Sequence, residues 1–379
     1  MANKKQDISP PAFPLKLLKW LCNPEYHPDI EGDLLELYHR RVAKRGQRRA
    51  GFFLFKDVIL LLRPGIVRTE YVNRKKMFQH NLIIIYRSFK RFKSTSIINV
   101  MGLSTGLACA LLIFLWVNDE LHVDKFHEKD SHLYHVMEHW IQGNGIVTNE
   151  STSGSMADAL AQEMPEVEYA TTVRRPLANV TLTVEDKNIK ATGQYVGKDF
   201  FHIFSYPIIH GNKNHVWADR NSMMISEALA MKLFNASENI IGKTVELQHE
   251  QEFFISGVFE TVPSGSSAQF DFVLSFEEFA ASNEWVLEWH STPTNAYVVL
   301  KSGTDVNKFN QKISDYVKIK TNDGIKHRTP FLKRYSETYL YGNYENGVQT
   351  GGRIEYVELF SVIAIFILVI ACINFMNLS

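Results

Sequence analysis

Cysteine is nearly missing from this chain: three in 379 residues, Cys22, Cys109 and Cys372, far apart and two of them inside apolar runs. That scarcity excludes a disulfide framework and the zinc spacings built on paired thiolates. None lies between Cys109 and Cys372, so nothing in that stretch depends on an oxidising compartment. A cleavable signal peptide is not expected either, because residues 1–14 are polar and proline-rich. Net charge is absent too, with 41 Lys and Arg against 41 Asp and Glu.

The balance hides a polarity. Residues 1–95 hold 20 basic and 8 acidic side chains, and the remainder holds 21 and 33. Such a division places the two parts in different electrostatic settings. A basic segment beside a membrane span suits an anionic leaflet. Nucleic-acid binding is the competing reading of that segment, but no helix-turn-helix, zinc or RNA-binding signature accompanies the charge.

What is present is two long charge-free runs. Residues 97–117, IINVMGLSTGLACALLIFLWV, and the run LFSVIAIFILVIACINFMNL beginning at Leu359 are each long enough to cross about 30 Å of hydrocarbon as a helix. In the first, Gly102, Gly106 and Ala110 recur every four positions, a small-residue stripe that lets another helix approach closely. Before it stand Arg87, Lys90, Arg91 and Lys93; after it, Asp119, Glu120, Asp124, Glu128 and Asp130 outnumber Lys125 and Lys129. The positive-inside rule therefore predicts a cytoplasmic N-terminus and puts residues 118–356 on the other side. Phe78, Leu82, Ile85, Phe89 and Phe92 share a helical face opposite the same four basic residues, the pattern of a helix lying in the membrane interface.

Ahead of this, residues 14–65 predict three helices: one starting at Pro14, one introduced by Pro28 and ending near Gly46, and one over residues 52–62 that is too short to span. Glu31, Asp33 and Glu36 read as a solvated first turn rather than a metal site, because carboxylates favour helix N-termini. Beyond the first span the periods mix. Val180, Leu182 and Val184 alternate with Thr181 and Thr183 as a half-buried strand, and residues 253–259 and 297–300 are further strand candidates. Residues 156–164, residues 226–234 with Ser226 as N-cap, and Val306, Phe309, Ile313 and Tyr316 at helical spacing predict helices. The class is α+β.

Three strings imitate chemistry. His122, His127, His132, His135 and His139 crowd together, and His127-Glu128 opens like a zinc-protease motif; the second His must stand four residues on, where this chain has Ser131. Gly242-Lys243-Thr244 echoes the end of a phosphate-binding loop, but Ser237 stands where the first Gly is required. Ser153-Gly154-Ser155 has no nucleophile-elbow context. No nucleophile, base and orienter assemble, so we expect no catalytic residue, cofactor or metal in this chain.

Several separated strings carry a family likeness: residues 94–106, STSIINVMGLSTG; Asp124-Lys125-Phe126-His127 with Leu133-Tyr134; Met164-Pro165-Glu166-Val167-Glu168; Asp199-Phe200-Phe201; Ser226-Glu227-Ala228-Leu229-Ala230; Ile241-Gly242-Lys243-Thr244; Gly257-Val258-Phe259 with Pro263; and residues 371–379, ACINFMNLS. In this order and spacing the chain resembles the permease subunits of MacB-type, FtsX-like ABC transporters. Ile30-Glu31-Gly32-Asp33-Leu34 and Leu61-Leu62-Arg63-Pro64 resemble the prefix domain ahead of some of these permeases. The resemblance implies a bacterial inner-membrane protein that forms a permease homodimer or heterodimer and binds a separate ABC ATPase subunit, whose ATP-driven motion is relayed to the periplasmic domain for export. Family permeases have four spans and this chain has two, so a fragment is expected. The organisation predicted is a small all-α cytoplasmic prefix domain (1–75), a basic amphipathic interfacial helix (76–96), a transmembrane helix (97–117), a large α+β periplasmic core domain (118–356) and a second transmembrane helix (357–379). The alternative is a two-span sensor with a periplasmic ligand-binding domain, which would need a signalling element after the second span; a membrane-anchored hydrolase lacks its catalytic constellation.

Overall fold

Proline and glycine punctuate the N-terminal unit. The computed structural model describes residues 10–22, 26–61, 80, 83–84, 87, 90–91, 93–217 and 220–378. Helix α1 (Ala12–Leu21) follows Pro10 and Pro11, and α2 (His27–Arg45) carries Pro28 in its first turn, where no backbone N–H is needed. Gly46 ends α2 at φ +78°, a conformation glycine adopts without strain, and α3 (Gln47–Leu61) begins immediately after it. Each helix buries one stripe: Leu18 and Cys22, Leu34 and Tyr38, and Ala50, Leu54 and Val58 form a single core. The burial of Cys22 explains that cysteine as a small core residue. Arg41 of α2 pairs with Asp57 of α3.

The second unit contains most of α4 (Lys93–His122) and the large domain. The apolar run predicted for 97–117 thus lies inside a longer helix. The other helices of this unit are α5 (Met156–Glu163), α6 (Phe200–Ile203), α7 (Glu227–Phe234), α8 (Phe276–Ser282), α9 (Val306–Ile313), α10 (Tyr316–Lys320), α11 (Tyr335–Thr338) and α12 (Arg353–Leu378). Its strands are β1 (Leu133–Gln142), β2 (Gly145–Asn149), β3 (Val167–Val184), β4 (Lys187–Val196), β5 (Ile208–His210), β6 (Ser222–Ser226), β7 (Thr244–Leu247), β8 (Gln251–Phe259), β9 (Phe272–Ser275), β10 (Asn295–Leu300) and β11 (Arg328–Arg334), with a separate hairpin of β12 (Asn343–Glu345) and β13 (Val348–Gly351).

Hydrogen bonding orders the main sheet β11-β1-β10-β3-β4-β9-β6-β8-β5, with β2 on β1. Strand β7 pairs with both β3 and β8, so β3, β4, β9, β6, β8 and β7 close into a ring. Closure leaves those strands few free edges. The 18-residue β3 makes both halves possible: its first part pairs with β10, register shifts follow near Arg174 and Leu177, and its second part joins the ring. Val180, Leu182, Met223, Phe253, Leu274 and, from α7, Leu229 share one ring core. A second core lies where β1, β10 and β11 meet α5, α9 and α10, and an aromatic core gathers Phe200, Phe204, Tyr206, Tyr297 and Tyr335.

The strands expected at 180–184, 253–259 and 297–300 lie within β3, β8 and β10, and Ser226 Oγ caps α7 by accepting the Leu229 N–H at 3.2 Å. The helix expected through Val306 to Tyr316 is instead two. Ser314 donates to the Gln311 carbonyl at 2.9 Å, a local bond that competes with a continuous helix, and α10 begins after Asp315.

Gly193 of β4 stands in register with Phe272 of β9, and a Cβ there would overlap the Phe272 ring. The ring occupies the space a side chain would take. Gly193→Ala is therefore expected to cost about 1–3 kcal/mol through overpacking, read as a lower thermal midpoint of the detergent-solubilised chain. Gly265→Ala, with open space around its Cβ, should leave the midpoint nearly unchanged.

Candidate functional site at the junction of the long helices and the large domain

Two helices, α4 and α12, are long and apolar enough to cross a membrane, over Ser96–His122 and Ile354–Met376. They run antiparallel, because contacts descend one as they climb the other. At Gly106 an added Cβ would lie 2.8 Å from the Ala371 Cβ; Trp116 meets Phe360 edge-on at 5.2 Å; Glu120 accepts from Arg353 Nη2 at 3.3 Å and Nε at 3.4 Å. Of the small-residue stripe, Gly106 and Ala110 lie at this contact, Ala110 being buried, while Gly102 is exposed. An apolar groove of about 330 Å³ beside the pair is lined by residues including Leu107, Leu111, Phe114, Ile365 and Leu368.

Where α4 ends, the chain is clamped to the large domain. Asp124 is buried at φ +61°, its N–H donating to the Gly265 carbonyl at 2.9 Å and its Oδ1 accepting the Ser267 N–H at 2.8 Å. His127 follows, its Nδ1 accepting the Ser205 N–H at 3.1 Å, among the rings of Phe126, Phe204, Tyr206 and Tyr335. Where α12 begins, the Ile354 N–H donates to the Leu340 carbonyl at 3.1 Å, and the Arg353 guanidinium lies over the Tyr339 ring at 4.6 Å. Tyr335, which begins α11, lies beside the first clamp, its ring tilted against His127 at 5.5 Å and edge-on to Tyr297 of β10 at 5.5 Å. Both helix ends are thus seated against the large domain through close-packed groups.

Burial lowers the His127 pKa from 6.5 to about 4, so the folded protein holds this ring neutral. No hydrogen-bond partner reaches its Nε2 among the described residues. The unfolded chain takes up the proton near pH 6.5 and the folded one near 4, so the contribution of His127 to stability is complete above 6.5 and is lost as pH falls towards 4. His127→Gln, which keeps an acceptor for Ser205, should flatten that acid limb in urea titrations of the full chain. An unchanged limb would assign it to other groups.

The remaining candidates fall elsewhere. Arg87, Lys90, Arg91 and Lys93 are exposed helical residues, whereas Phe78, Leu82, Ile85, Phe89 and Phe92, the apolar face expected opposite them, lie outside the described residues. The histidines are spread from the end of α4, through the segment that follows it, into β1. His122 Nδ1 bonds the Asn118 carbonyl, His135 stacks on Tyr297 at 4.7 Å, and His139 stacks on Phe331 at 4.1 Å. Among the described residues no group of three or more His, Cys, Asp or Glu is placed to hold a metal. Gly242, at φ +83°, turns the chain into β7, and Lys243 lies over Phe234. Ser153 and Ser155 donate to the Glu288 and Leu287 carbonyls at 3.1 and 2.7 Å, pinning the loop that precedes β10.

Sequence reasoning passed over Arg353, Tyr339 and Gly352 and took Glu120 only as a flank charge. A signal existed for the pairing of Glu120 with Arg353, since an acid closes the first apolar helix and a base opens the second, and antiparallel spans bring those ends together.

Fold and junction together define a membrane protein that carries an α+β domain between two apolar helices. The family model for the MacB-like periplasmic core domain matches residues 96–316, and the chain belongs to that family, an ABC-transporter-type permease family. Three solved structures are similar in outline. A domain from a Porphyromonas gingivalis protein described as a permease is 23% identical, with TM-score 0.49, over 55% of this chain and 93% of that one. The periplasmic region of MacB from Actinobacillus actinomycetemcomitans is 15% identical, with TM-score 0.39, over 55% and 91%. The extracellular domain of the noncanonic ABC-type transporter YknZ from Gram-positive bacteria is 12% identical, with TM-score 0.38, over 52% and 99%. No curated protein matches the chain.

Proposed function

We propose that this chain is a permease subunit of a MacB-type ABC transporter in the bacterial inner membrane. In this reading it is not itself an enzyme. A partner ATPase hydrolyses ATP in the cytoplasm, a permease homodimer or heterodimer carries the motion across the bilayer, and the large domain changes conformation on the periplasmic side to drive export. The observation that supports this best is the paired clamp. Asp124 and His127 tie α4 to the domain, Arg353 and Ile354 tie α12 to it, and Glu120–Arg353 ties the helices to each other. A ligand-driven change needs an element whose arrangement differs between states and which both ends contact. The flank charges support a cytoplasmic N-terminus, with the all-α unit and residues 76–96 on that side and residues 118–356 in the periplasm.

Two measurements test the proposal. In a background without the three native cysteines, a cysteine at Ser302 should react with an impermeant maleimide once the outer membrane is opened, while one at Ser88 should not. The reverse pattern overturns the orientation. In lipid vesicles with the cognate ATPase, the permease should change ATP turnover, and Glu120→Arg should reduce that change. ATPase turnover indifferent to the permease would sink the coupling.

A further inference from the structure

The three-helix unit wears a second apolar surface besides its core. On α1 the exposed positions include Phe13, Lys16, Lys19 and Trp20; on α3 they include Phe52, Lys56, Ile59 and Leu60. Both sets recur at helical spacing, so each is a continuous stripe. Phe13 is 67% exposed, Phe52 68% and Trp20 59%. The stripes adjoin, because the Phe13 ring lies 6.0 Å from Phe55 and the start of α1 shares a groove of about 610 Å³ with Gln47, Gly51 and Phe55 of α3.

Scattered exposed apolar residues are ordinary on a soluble bundle, but large ones lined up on two neighbouring helices are not. Their charges narrow the occupant. The charges within both stripes are lysines; α1 has no acid at all, and the acid of α3, Asp57, is paired with Arg41. Asp29, Glu31, Asp33 and Glu36 all stand on α2, and Glu25 comes just before that helix in the sequence. Lysine between aromatic rings is the composition of a membrane-interface face: the rings enter the headgroup boundary while the ammonium groups stay with the phosphates. The chain itself continues the pattern. Residues 62–92, which lead to the first apolar helix, hold eight Lys and Arg and one acid, Glu70.

We propose that the three-helix unit docks through the α1 and α3 stripes on a bilayer surface bearing anionic lipid headgroups. The inference does not depend on the transport reading. The test uses the full chain with Cys109 and Cys372 replaced by alanine and the buried Cys22 left in place, reconstituted in vesicles of phosphatidylcholine alone or mixed with phosphatidylglycerol. One environment-sensitive maleimide is attached at Leu60→Cys on α3 or at Asp33→Cys on α2. In the anionic vesicles the label at 60 should be quenched by brominated acyl chains and shielded from acrylamide, and the label at 33 should behave oppositely. Each lysine lost from Lys16→Gln, Lys19→Gln and Lys56→Gln should reduce the docked-to-free ratio by about fivefold. The double variant Phe13→Ser/Phe52→Ser should release the unit while its helical circular dichroism is retained. Equal acrylamide access at 60 in both vesicles overturns the proposal. Shielding that appears only when the ATPase is added also overturns it, in favour of a protein partner.

Discussion

Arg328→Met is expected to cost the large domain about 3–5 kcal/mol, because it strands a carboxylate that has no other access to water. Glu138 is 0% exposed and Arg328 3%. The Glu138 carboxylate accepts from Arg328 Nε at 2.5 Å and Nη2 at 2.8 Å and from the Trp140 indole N–H at 2.7 Å. Arg328 also donates to the Trp289 carbonyl at 2.6 Å, and its guanidinium lies 5.1 Å from the Trp140 ring centroid. The network is saturated, which is the condition under which a buried pair can offset its own desolvation. Deleting one member removes the compensation and leaves the penalty. Deleting both need not: Glu138→Leu with Arg328→Met replaces the pair by apolar groups of similar volume, and such exchanges are often neutral. At about 2–4 °C per kcal/mol for a domain of this size, the single variant should melt roughly 6–20 °C lower. The double variant should recover most of that loss. A double variant less stable than the single one would show that the pair contributes net stability beyond satisfying its own charges.

The pair also shows why much of the domain could not be read from the sequence. Its members are 190 positions apart, on strands β1 and β11 that pair directly. Nothing local to either residue encodes the other. By contrast, the long apolar helices were legible because hydrocarbon demands an unbroken charge-free run, a purely local requirement. The N-terminal helices were legible from period and punctuation, since Pro28 and Gly46 mark the ends of α2 within a few residues. Strand β1 was hidden by its own composition. His135 and His139 drew attention as metal ligands, but in the fold they are flat rings stacked across the ladder on Tyr297 and Phe331. The closed ring was illegible for a topological reason: β4 with β9 and β6 with β8 are parallel pairs joined by long excursions. The Asp124–His127 clamp was visible only as part of a family likeness, because the carbonyl and amides that hold Asp124 and His127 come from residues 205, 265 and 267.

Gly352→Ala should be the most damaging single methyl in the junction. At φ +143° this residue occupies backbone space that a non-glycine residue enters only with strain, about 1–3 kcal/mol. Steric exclusion is added to the strain. A Cβ would lie 2.6 Å from the Leu340 carbonyl oxygen and 2.9 Å from the Gly342 nitrogen, both backbone atoms that cannot rotate away. The same Leu340 carbonyl accepts the Ile354 N–H, so the methyl would displace the bond that seats the start of α12. Overpacking of this kind costs about 1–3 kcal/mol beyond the strain. Gly303 provides the control, being at φ +84° with nothing within 4 Å of its Cβ. Gly303→Ala should show the left-handed strain alone, about 1–2 kcal/mol. Thermal unfolding of the two variants in detergent compares the totals, and limited proteolysis between β12 and α12 locates the damage. Gly352→Ala should melt lower than Gly303→Ala and be cut faster in that segment. Because it leaves the Glu120 and Arg353 side chains in place, it should also, on the proposed coupling to an ATPase, diminish the chain's effect on ATP turnover without removing any charge. If Gly352→Ala is no worse than Gly303→Ala in both measurements, the start of α12 moves freely of residues 340–342. On the proposed coupling, the second clamp would then transmit nothing, and any relay would rest on Asp124 and His127 alone.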